Sequence, residues 1–458
     1  MRQGSTLKDN MKYNFNLRII PLGGGPGMVT NNMYLYQYGK EAIIVDCGIG
    51  FPDDKESNDI LIPDVSYLLN NPDINIKGII LSHGHDDHHA ALPHILPKIG
   101  NHPIHASRLT AGFATDRLKD FKLNQKITVF KESDQIRLGS FTIHPIHVTH
   151  SVPDTFHFMI ETPVGNIYHG SDYKFDLTPI DHRPPNFQKI VNLSQKGVLC
   201  LISDCLRGER TGFTPSESTL TPALHREFSN WPGRLIFTTM SSQIHRIQQA
   251  VDVAISLGRK ICFIGRSMER NTTTATKLGF LKVSVKALIK PNQLKRFKDN
   301  QVCVIIAGSQ GQESSSLTRF AAGTHRTLKL KLTDKIIFSS DIIPGNEALV
   351  YKVLDQIAKV GATVNHSEMI DDLHVSGHAS AGEIQLLMEL VNARYVYPLG
   401  GSFRHMRQYE VLAKEMGYHT KQIIMPKTAQ VLEFDQQGNH FLAETIEVKE
   451  IRIDQNKL

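Results

Sequence analysis

The chain of 458 residues is long enough for two or three domains with a large core. Its 40% hydrophobic and 21% charged residues are typical of a globular protein and exclude a fibrous or disordered chain. No run of about 18 or more apolar residues occurs, so we expect no membrane span. The polar N-terminus predicts no secretory signal, and the formal charge of +6 permits a polyanionic partner without requiring one.

The first half of the chain alternates short apolar strands with turns rich in glycine, proline and asparagine. The strand candidates are Met33–Tyr38, Ala42–Asp46, Gly78–Leu81, Phe141–Val148, Phe158–Glu161 and Ile167–His169. A helical stretch is predicted over His88–Ile99. This alternation predicts a layered α/β sandwich over residues 17–216, preceded by a poorly ordered tail at residues 1–16.

The pattern changes near residue 217, where strands alternate regularly with amphipathic helices. The predicted strands are Leu235–Met240, Lys260–Gly265, Val302–Gly308, Lys335–Ser340 and Gly361–Val364, with helices at Ile244–Leu257 and Asn346–Val360. Such alternation predicts a parallel sheet with crossover helices, as in a Rossmann-like domain over residues 217–371. The first pattern resumes over residues 372–458, and Gln430–Ile453 alternates like antiparallel strands. The second domain is therefore predicted to be inserted into the first.

The five cysteines are dispersed, and most lie in apolar, strand-like runs: Cys47, Cys200, Cys205, Cys262 and Cys303. None has the C-x-x-C spacing of a metal or redox site. We interpret them as reduced core residues of a cytoplasmic protein. A metal site in this chain would therefore use histidine and aspartate rather than thiolate.

A dense cluster of metal-ligand residue types follows the apolar run Ile79–Leu81. The hexapeptide HGHDDH at residues 83–88 contains three imidazoles and two carboxylates. Imidazole and carboxylate together suit zinc and similar transition metals, and burying such a cluster without a partner would be costly. The alternative interpretation is a solvated, histidine-rich loop.

The spacing H-x-H-x-D-H resembles that of the metallo-β-lactamase superfamily, in which it holds two metal ions. The resemblance implies that His83 and His85 bind the first metal, and that Asp87 and His88 bind the second. It also implies a third ligand of the first metal at His150 and a carboxylate bridging both metals at Asp172. Asp46 matches the early aspartate of the superfamily, which supports the ligands by hydrogen bonding.

Several longer runs narrow the resemblance to bacterial ribonuclease J, of the β-CASP branch of this superfamily. They are MYLYQYGKEAIIVDCGIGFPDD, IPDVSYLL, HSVPDT, ISDCLRGERTGFTPSE, GRSM, GSQGQE, IPGNEA and HVSGHAS. The resemblance implies an αββα sandwich with an inserted β-CASP domain. It also implies 5′→3′ exonucleolysis of 5′-monophosphorylated single-stranded RNA in RNA processing and decay, with some endonuclease activity and two zinc or manganese ions.

The same resemblance implies roles for two further motifs of the β-CASP branch. Asp204 matches an acidic residue that supports the metals, and His378 matches a histidine that faces the scissile phosphate or the leaving oxygen. The catalytic set implied by the resemblance is therefore Asp87, Asp172, Asp204 and His378. One of the carboxylates of Asp87 and Asp172 would orient the nucleophile or accept its proton.

Two loops of small residues are candidates for holding phosphate. Ser380 and Glu383 form a capping-box pattern at the start of a helix predicted over Glu383–Leu390, and a helix N-terminus offers free N–H groups and a positive dipole end. The second loop, GSQG at residues 308–311, follows a predicted strand. By resemblance, RNA phosphates would contact Gly308, Ser309, Gln310, Ser376, His378 and Ser380.

Basic residues are concentrated in one segment of the predicted inserted domain. They are Lys282, Lys286, Lys290, Lys295, Arg296 and Lys298, with Arg326, Lys329 and Lys331 soon after. The segment is either a solvated helix face or a track for phosphates, and both interpretations stay open.

The chain departs from the family at the third β-CASP motif, where RNA-acting members have a histidine that binds the second metal. The matching position here is Gly400, which has no side chain to offer. Three explanations are open: His405 substitutes, the second metal is held more weakly by Asp87, His88 and Asp172, or the site is impaired. DNA-processing members of the branch also lack this histidine.

These observations leave three alternatives to a ribonuclease. They are a DNA nuclease of the same fold, a small-molecule hydrolase of the lactonase or glyoxalase type, and a weakly catalytic RNA-binding subunit beside an active paralogue. The small C-terminal domain usual in ribonuclease J is not expected after residue 458, so dimerisation is less secure. The partners predicted are single-stranded RNA and either a second copy or a ribonuclease J paralogue, with no membrane.

Overall fold

The computed structural model describes residues 15–25, 27–52, 59–343 and 345–454. The tail expected at residues 1–16 lies outside this range except for Phe15 and Asn16. Among the described residues, no helix is both long enough and apolar enough to cross a bilayer.

The strands, numbered along the chain, are β1 (Leu17–Gly23), β2 (Met33–Tyr38), β3 (Glu41–Val45), β4 (Asp59–Ile62), β5 (Asn75–Leu81), β6 (Ile104–Ala106), β7 (Ile127–Val129), β8 (Ile136–Leu138), β9 (Phe141–Val148), β10 (Thr155–Glu161), β11 (Asn166–Gly170), β12 (Cys200–Asp204), β13 (Leu235–Thr238), β14 (Lys260–Ile264), β15 (Val302–Ile306), β16 (Lys335–Phe338), β17 (Thr363–Asn365), β18 (Tyr395–Leu399), β19 (Gln430–Phe434), β20 (His440–Thr445) and β21 (Ile451–Asp454). The α-helices are Ser66–Asn70, Asp86–His89, Leu92–Ile99, Arg108–Asp120, Phe187–Ser194, Leu220–Phe228, Ile244–Ser256, Arg266–Lys277, Ser316–Ala321, Glu347–Val360, Ala381–Val391 and Phe403–Glu415.

Two sheets pack face to face and form the centre of the sandwich. One has the order β20-β19-β1-β2-β3-β5-β6-β7 and the other has the order β18-β12-β11-β10-β9-β8. Alternate strand residues of both sheets, including Tyr36, Phe158 and Ile202, meet in one buried apolar cluster. This alternation of inward-facing side chains is what holds the two sheets together.

Helices cover the outer face of each sheet. Leu92–Ile99 and Arg108–Asp120 contribute apolar side chains to the core beneath the first sheet. Ala381–Val391 and Phe403–Glu415 do the same for the second sheet, with Phe187–Ser194. The layers are therefore helix, sheet, sheet, helix, and the predicted αββα sandwich is confirmed.

A third sheet, with the all-parallel order β14-β15-β13-β16-β17, is built from residues between β12 and β18. Helices pack on both of its faces, with Ile244–Ser256 on one side and Glu347–Val360 on the other. Because β12 and β18 are neighbours in the second sheet, this Rossmann-like domain is inserted between them. The exact bounds 217–371 remain a prediction.

One buried arginine joins the two chain segments that connect the inserted domain to the sandwich. Arg246, fully buried at 0% exposure, donates from Nε to Glu217 Oε1 at 2.8 Å. Its Nη2 donates to the carbonyl of Val375 at 2.7 Å. Glu217 precedes the inserted sheet and Val375 follows it, so this guanidinium holds the outgoing and returning segments together.

The predicted helix over His88–Ile99 was wrong as a single element. The structure has two helices, Asp86–His89 and Leu92–Ile99, separated by a turn. Pro93 explains the break, because its ring lacks an N–H and clashes with the carbonyl four residues earlier.

Candidate metal centre

The candidate ligands lie where strands of both sheets end. His83 follows β5 in the first sheet, whereas His150 follows β9 and Asp172 follows β11 in the second. Strands β11, β12 and β18 are parallel, and β9 runs in the same direction because it pairs antiparallel to β10. The carboxyl ends of all four strands therefore lie at one edge of the second sheet. The end of β5 in the first sheet faces this edge across the sandwich, since His83 lies 3.8 Å from Asp172.

Three histidines and one aspartate converge there on one point. His85 Nδ1 lies 3.2 Å from His83 Nε2 and 3.1 Å from His150 Nε2. Asp172 Oδ2 lies 3.8 Å from His83 Nε2 and 3.7 Å from His150 Nε2. The four side chains could hold one metal ion, and they are the four that the sequence assigned to the first metal.

The protonation of this group suits a cation. Burial and the neighbouring imidazoles hold the pKa values of His83 and His150 well below the usual range, and burial also lowers the pKa of His85. His150 turns its other nitrogen to the carbonyl of Gly377, 2.7 Å away. The lowered pKa values favour neutral rings, and a neutral imidazole is the form that binds a cation.

A second group shares Asp172 with the first. His88 Nε2 lies 3.5 Å from both Asp87 Oδ2 and Asp172 Oδ2, and the three residues could hold a second ion. Burial opposes charge on all three, yet the carboxylates raise the pKa of His88 well above its usual range, and His88 lowers the pKa of Asp172 well below its own. Two adjacent sites sharing one carboxylate can hold two divalent cations.

Asp46 and Ser82 orient these ligands from behind. Asp46 Oδ2 lies 2.7 Å from His88 Nδ1, which directs His88 Nε2 towards the site. The same carboxylate accepts hydrogen bonds from the backbone N–H and the hydroxyl of Ser82 at 2.7 and 2.8 Å. Ser82 Oγ also lies 2.9 Å from His83 Nδ1. The supporting position expected for Asp46 is found, whereas sequence reasoning missed Ser82, whose only signal is its place next to His83.

His378 and Asp204 form a pair beside the two groups. His378 Nδ1 lies 2.7 Å from Asp204 Oδ2, and the ring of His378 is 5.2 Å from that of His150. Although burial disfavours its charge, Asp204 raises the pKa of His378 to about 9. The pairing with Asp204 thus favours the protonated form of His378, whose side chain is 28% exposed.

The position of the family's third histidine is open. Gly400 directly follows β18, and among the described residues the atom nearest to a Cβ built there is the carbonyl oxygen of Met28, at 3.8 Å. His405 does not fill the gap in this structure, since its Nδ1 accepts a hydrogen bond from the backbone of Ser402 at 3.1 Å. Its Nε2 lies 3.9 Å from Glu209. Among the described residues, the second group therefore has three protein ligands.

The premise that the helix Ala381–Val391 offers free N–H groups was wrong. The N–H groups of Ala381 and Gly382 donate to the carbonyls of Arg210 and Gly212, both at 2.8 Å. Those of Glu383 and Ile384 donate to Ser380. The Glu383 carboxylate, in turn, accepts backbone N–H groups of Phe175, Thr214 and Ser380. The assignment of Ser376, His378 and Ser380 to phosphate stays a prediction that must rest on side chains.

The other predicted phosphate loop lies in the inserted domain, after β15. Ser309 and Gln310 are both 4% exposed, and the amide of Gln310 donates to the carbonyl of Asp341 at 2.8 Å. Asp341 in turn lies 3.3 Å from His374, four residues before His378. This loop is therefore linked through side chains to the returning segment, and the phosphate role of Gly308, Ser309 and Gln310 stays a prediction.

Comparisons with protein families agree with this architecture. Residues 26–172 match the metallo-beta-lactamase superfamily, residues 232–357 match the "Ribonuclease J, beta-CASP domain", and residues 364–426 match the "Zn-dependent metallo-hydrolase RNA specificity domain". The chain is thus a metallo-β-lactamase-fold protein with an inserted β-CASP domain. This fold implies divalent metal binding, in keeping with the histidine and aspartate groups described above.

Similar proteins that match most of this chain identify its family. Ribonuclease J of Thermus thermophilus is 38% identical over 410 residues, which cover 88% of this chain and 71% of that protein. Ribonuclease J of Helicobacter pylori strain B128 is 36% identical over 430 residues, which cover 93% of this chain and 62% of that protein. The chain belongs to the ribonuclease J family, and it spans less than two thirds of the Helicobacter relative. The resemblance inferred from the sequence is confirmed.

One solved structure supports the fold alone. A protein of unknown function from Enterococcus faecalis V583 superposes with a TM-score of 0.62 and covers 92% of this chain and 100% of its own, at 13% identity.

Proposed function

We propose that this chain is a metal-dependent ribonuclease that removes nucleotides from the 5′ end of 5′-monophosphorylated single-stranded RNA, with some endonuclease activity, in cytoplasmic RNA processing and decay. The observation that carries the proposal is the pair of His/Asp groups sharing Asp172, with the charged pair of His378 and Asp204 at their side. Membership of the ribonuclease J family and the match to an RNA specificity domain support RNA as the substrate.

The residues present fit two divalent ions, either zinc or manganese. The first would be held by His83, His85, His150 and Asp172, and the second by Asp87, His88 and Asp172. When bound, such ions supply Lewis acidity that lowers the pKa of a water molecule and neutralises charge on a phosphate.

The chain's own side chains have distinct parts in this proposal. Asp87 or Asp172 orients the attacking water and accepts its proton. His378 is cationic at neutral pH, so it stabilises the scissile phosphate or the leaving oxygen, and Asp204 keeps it charged and oriented. The inserted domain, over residues 217–371, closes over a strand whose phosphates contact Ser376, Ser380 and the loop at 308–310. The protein acts as a homodimer or beside a paralogue.

The test is a cleavage assay with Mn²⁺ or Zn²⁺ on single-stranded RNA and DNA of one sequence, each with a 5′-phosphate or a 5′-hydroxyl. We expect mononucleotides from 5′-phosphorylated RNA, and their loss in Asp87→Ala. Asp86→Ala is the matched control, because the neighbouring Asp86 is 57% exposed and faces His89 rather than the site. Cleavage of DNA alone would contradict the proposal and favour a DNA nuclease of the same fold.

A second candidate function is a weakly catalytic RNA-binding subunit that works with an active paralogue. The three-ligand second group beside Gly400 favours it. Fewer than two metal ions per chain, together with tight RNA binding and no cleavage, would support this candidate over the first.

A further inference from the structure

Arg207 lies between the returning segment that carries His378 and the inserted domain. It is three residues beyond Asp204, and its backbone forms a parallel bridge with Ser380. Its Nε donates to Ser380 Oγ at 3.3 Å. Asp204 binds His378 directly, and the pair of Arg207 and Ser380 follows that pair along the same two segments. Arg207 is three residues beyond Asp204, and Ser380 is two residues beyond His378.

The guanidinium of Arg207 is fixed at one end and available at the other. Among the described residues, its two terminal nitrogens make no hydrogen bond or ion pair, although the side chain is only partly exposed. Arg210, Asp341 and Glu383 are near enough to act on it electrostatically, but the Glu383 carboxylate is already occupied by three backbone N–H groups. The two terminal nitrogens of this planar group are therefore available as N–H donors, and paired N–H donors in one plane suit a phosphate.

An exposed aromatic side chain packs two residues beyond Ser380, the residue that Arg207 contacts. Phe213 is 57% exposed, and one side of its ring packs so closely on Gly382 that a Cβ there would come within 2.8 Å of Phe213 Cε2. The next residue, Thr214, is anchored firmly, since its hydroxyl donates to the carbonyl of His378 at 2.7 Å and lies 2.9 Å from Ser380 Oγ. The ring is therefore held against the start of the helix Ala381–Val391, two residues beyond Ser380, and much of it is exposed.

We propose that Arg207 and Phe213 form a subsite for one nucleotide of a single RNA strand, in which Arg207 binds a phosphate and Phe213 stacks on a base. The inference rests on the proposed function and adds two residues that its catalytic scheme does not use. A phosphate beside a flat aromatic ring is the recurring unit of single-stranded nucleic acid, and stacking is tolerant of base identity because every base has a flat face. The subsite would seat the strand next to His378 without reading sequence.

The test measures RNA binding separately from cleavage. Full-length protein carrying Asp87→Ala, so that RNA is not consumed, is titrated into fluorescently labelled single-stranded RNA and followed by anisotropy. Arg207→Met and Phe213→Ala are added to this background. Their matched controls are Arg137→Met, on the far edge strand β8, and Phe441→Ala, a phenylalanine that is 42% exposed on β20.

We expect Arg207→Met to weaken binding by about tenfold or more, as for a lost charge-assisted hydrogen bond. The slope of log affinity against log salt should fall by about 0.7, as for one lost phosphate contact on a single strand. Phe213→Ala should weaken binding by about fivefold or more, and Phe213→Trp should restore it. An RNA with abasic nucleotides should bind Phe213→Ala and its parent equally.

Comparison of 5′-phosphate and 5′-hydroxyl RNA shows which phosphate Arg207 contacts. A loss confined to 5′-phosphorylated RNA assigns the terminal phosphate, and an equal loss with both assigns an internal one. Arg207→Lys and Phe213→Leu keep charge and apolar packing, so they supply a folded comparison if the other variants melt early. If all Arg207 and Phe213 variants bind RNA like their controls while the unmutated protein cleaves it, the subsite is refuted and the ribonuclease stands. If the unmutated protein neither binds nor cleaves RNA, the proposed function fails first.

Discussion

Restoring a histidine at position 400 should tighten the second metal site. Gly400 follows Leu399, which pairs with Asp204 across β12 and β18, so a side chain there starts beside the pair of Asp204 and His378. Among the described residues, no atom outside the neighbouring residues in the chain lies closer than 3.8 Å to a Cβ built at Gly400, so this part of the structure leaves space for a larger residue. Gly400→His therefore offers a fourth protein ligand to a group that has three among the described residues.

The size of the effect follows from two opposing contributions. Structural zinc sites with four ligands bind with about 10–16 kcal/mol, or about 3 kcal/mol per ligand. Against this, the new side chain must be fixed in one rotamer when the ion binds, which costs about 1–2 kcal/mol. The φ of +64° at Gly400 lowers the stability of the fold with and without metal, so it does not enter the binding free energy. The net gain of about 1–2 kcal/mol corresponds to a dissociation constant roughly tenfold lower.

The assay is calorimetric titration of metal-free protein with Mn²⁺ and with Zn²⁺. We expect one tight ion and one weaker ion in the unmutated protein, and in Gly400→His an unchanged first ion with a second bound roughly tenfold tighter. Gly197→His is the matched control for backbone strain, because Gly197 has φ of +84° and, in the part of the chain that the structure describes, no non-neighbouring atom lies within 4 Å of its Cβ position. If Gly400→His folds like this control and its second ion is no tighter, the reasoning about position 400 is refuted.

Three further predictions concern other charged groups. Asp172→Asn should bind fewer than two metal ions per chain by elemental analysis, and its rate of RNA cleavage should fall by about 100-fold or more, since one carboxylate serves both groups. Two metal ions per chain in this variant would contradict the sharing of Asp172. In Asp204→Asn, His378 should lose the raised pKa of about 9, so it is charged only at lower pH. The alkaline limb of the profile of cleavage rate against pH should therefore move to lower pH. An unmoved limb would show that His378 is not the group whose deprotonation ends activity. Burial opposes the charge of Glu217, but Arg246 and Lys174 lower its pKa to about 2. This pairing therefore stabilises the fold above about pH 4.5, and the stabilisation is lost as the pH falls towards 2. Glu217→Gln should therefore remove about 3 kcal/mol of that acid dependence, measured as unfolding midpoint against pH, and an identical acid slope in both proteins would contradict the pairing.

The parts of the site that could be predicted from sequence are those that a local pattern or a family motif carries. HGHDDH is informative by itself because its ligands lie within six residues and strand β5 delivers them together. His150 and Asp172 carry no local signal of their own. They could be assigned only through the resemblance, and the structure brings them to the same point because parallel strands end at one edge.

Other features depend on tertiary partners that no sequence pattern reveals. A capping box correctly located the start of the helix Ala381–Val391 but did not show that its N–H groups are already paired with Arg210 and Gly212. Ser82 has no motif, because its importance comes from contact with Asp46, 36 residues away. Arg207 lies within the family-like run ISDCLRGERTGFTPSE, but its position against Ser380 appears only when β12 and the returning segment are folded.

The insertion of one domain into another has a consequence for the chemistry at His378. This residue lies three positions beyond Val375, whose carbonyl is held by Arg246 of the inserted domain. The same guanidinium lies 2.8 Å from His374 Nδ1 and binds the carbonyl of Ser339, at the end of a strand of the inserted sheet. Because Arg246 is fully buried, leaving any of these partners unpaired would be costly. The position of His378 is therefore fixed from two directions, by Asp204 in the sandwich and by Arg246 in the inserted domain, so the inserted domain helps to build the site as well as cover it.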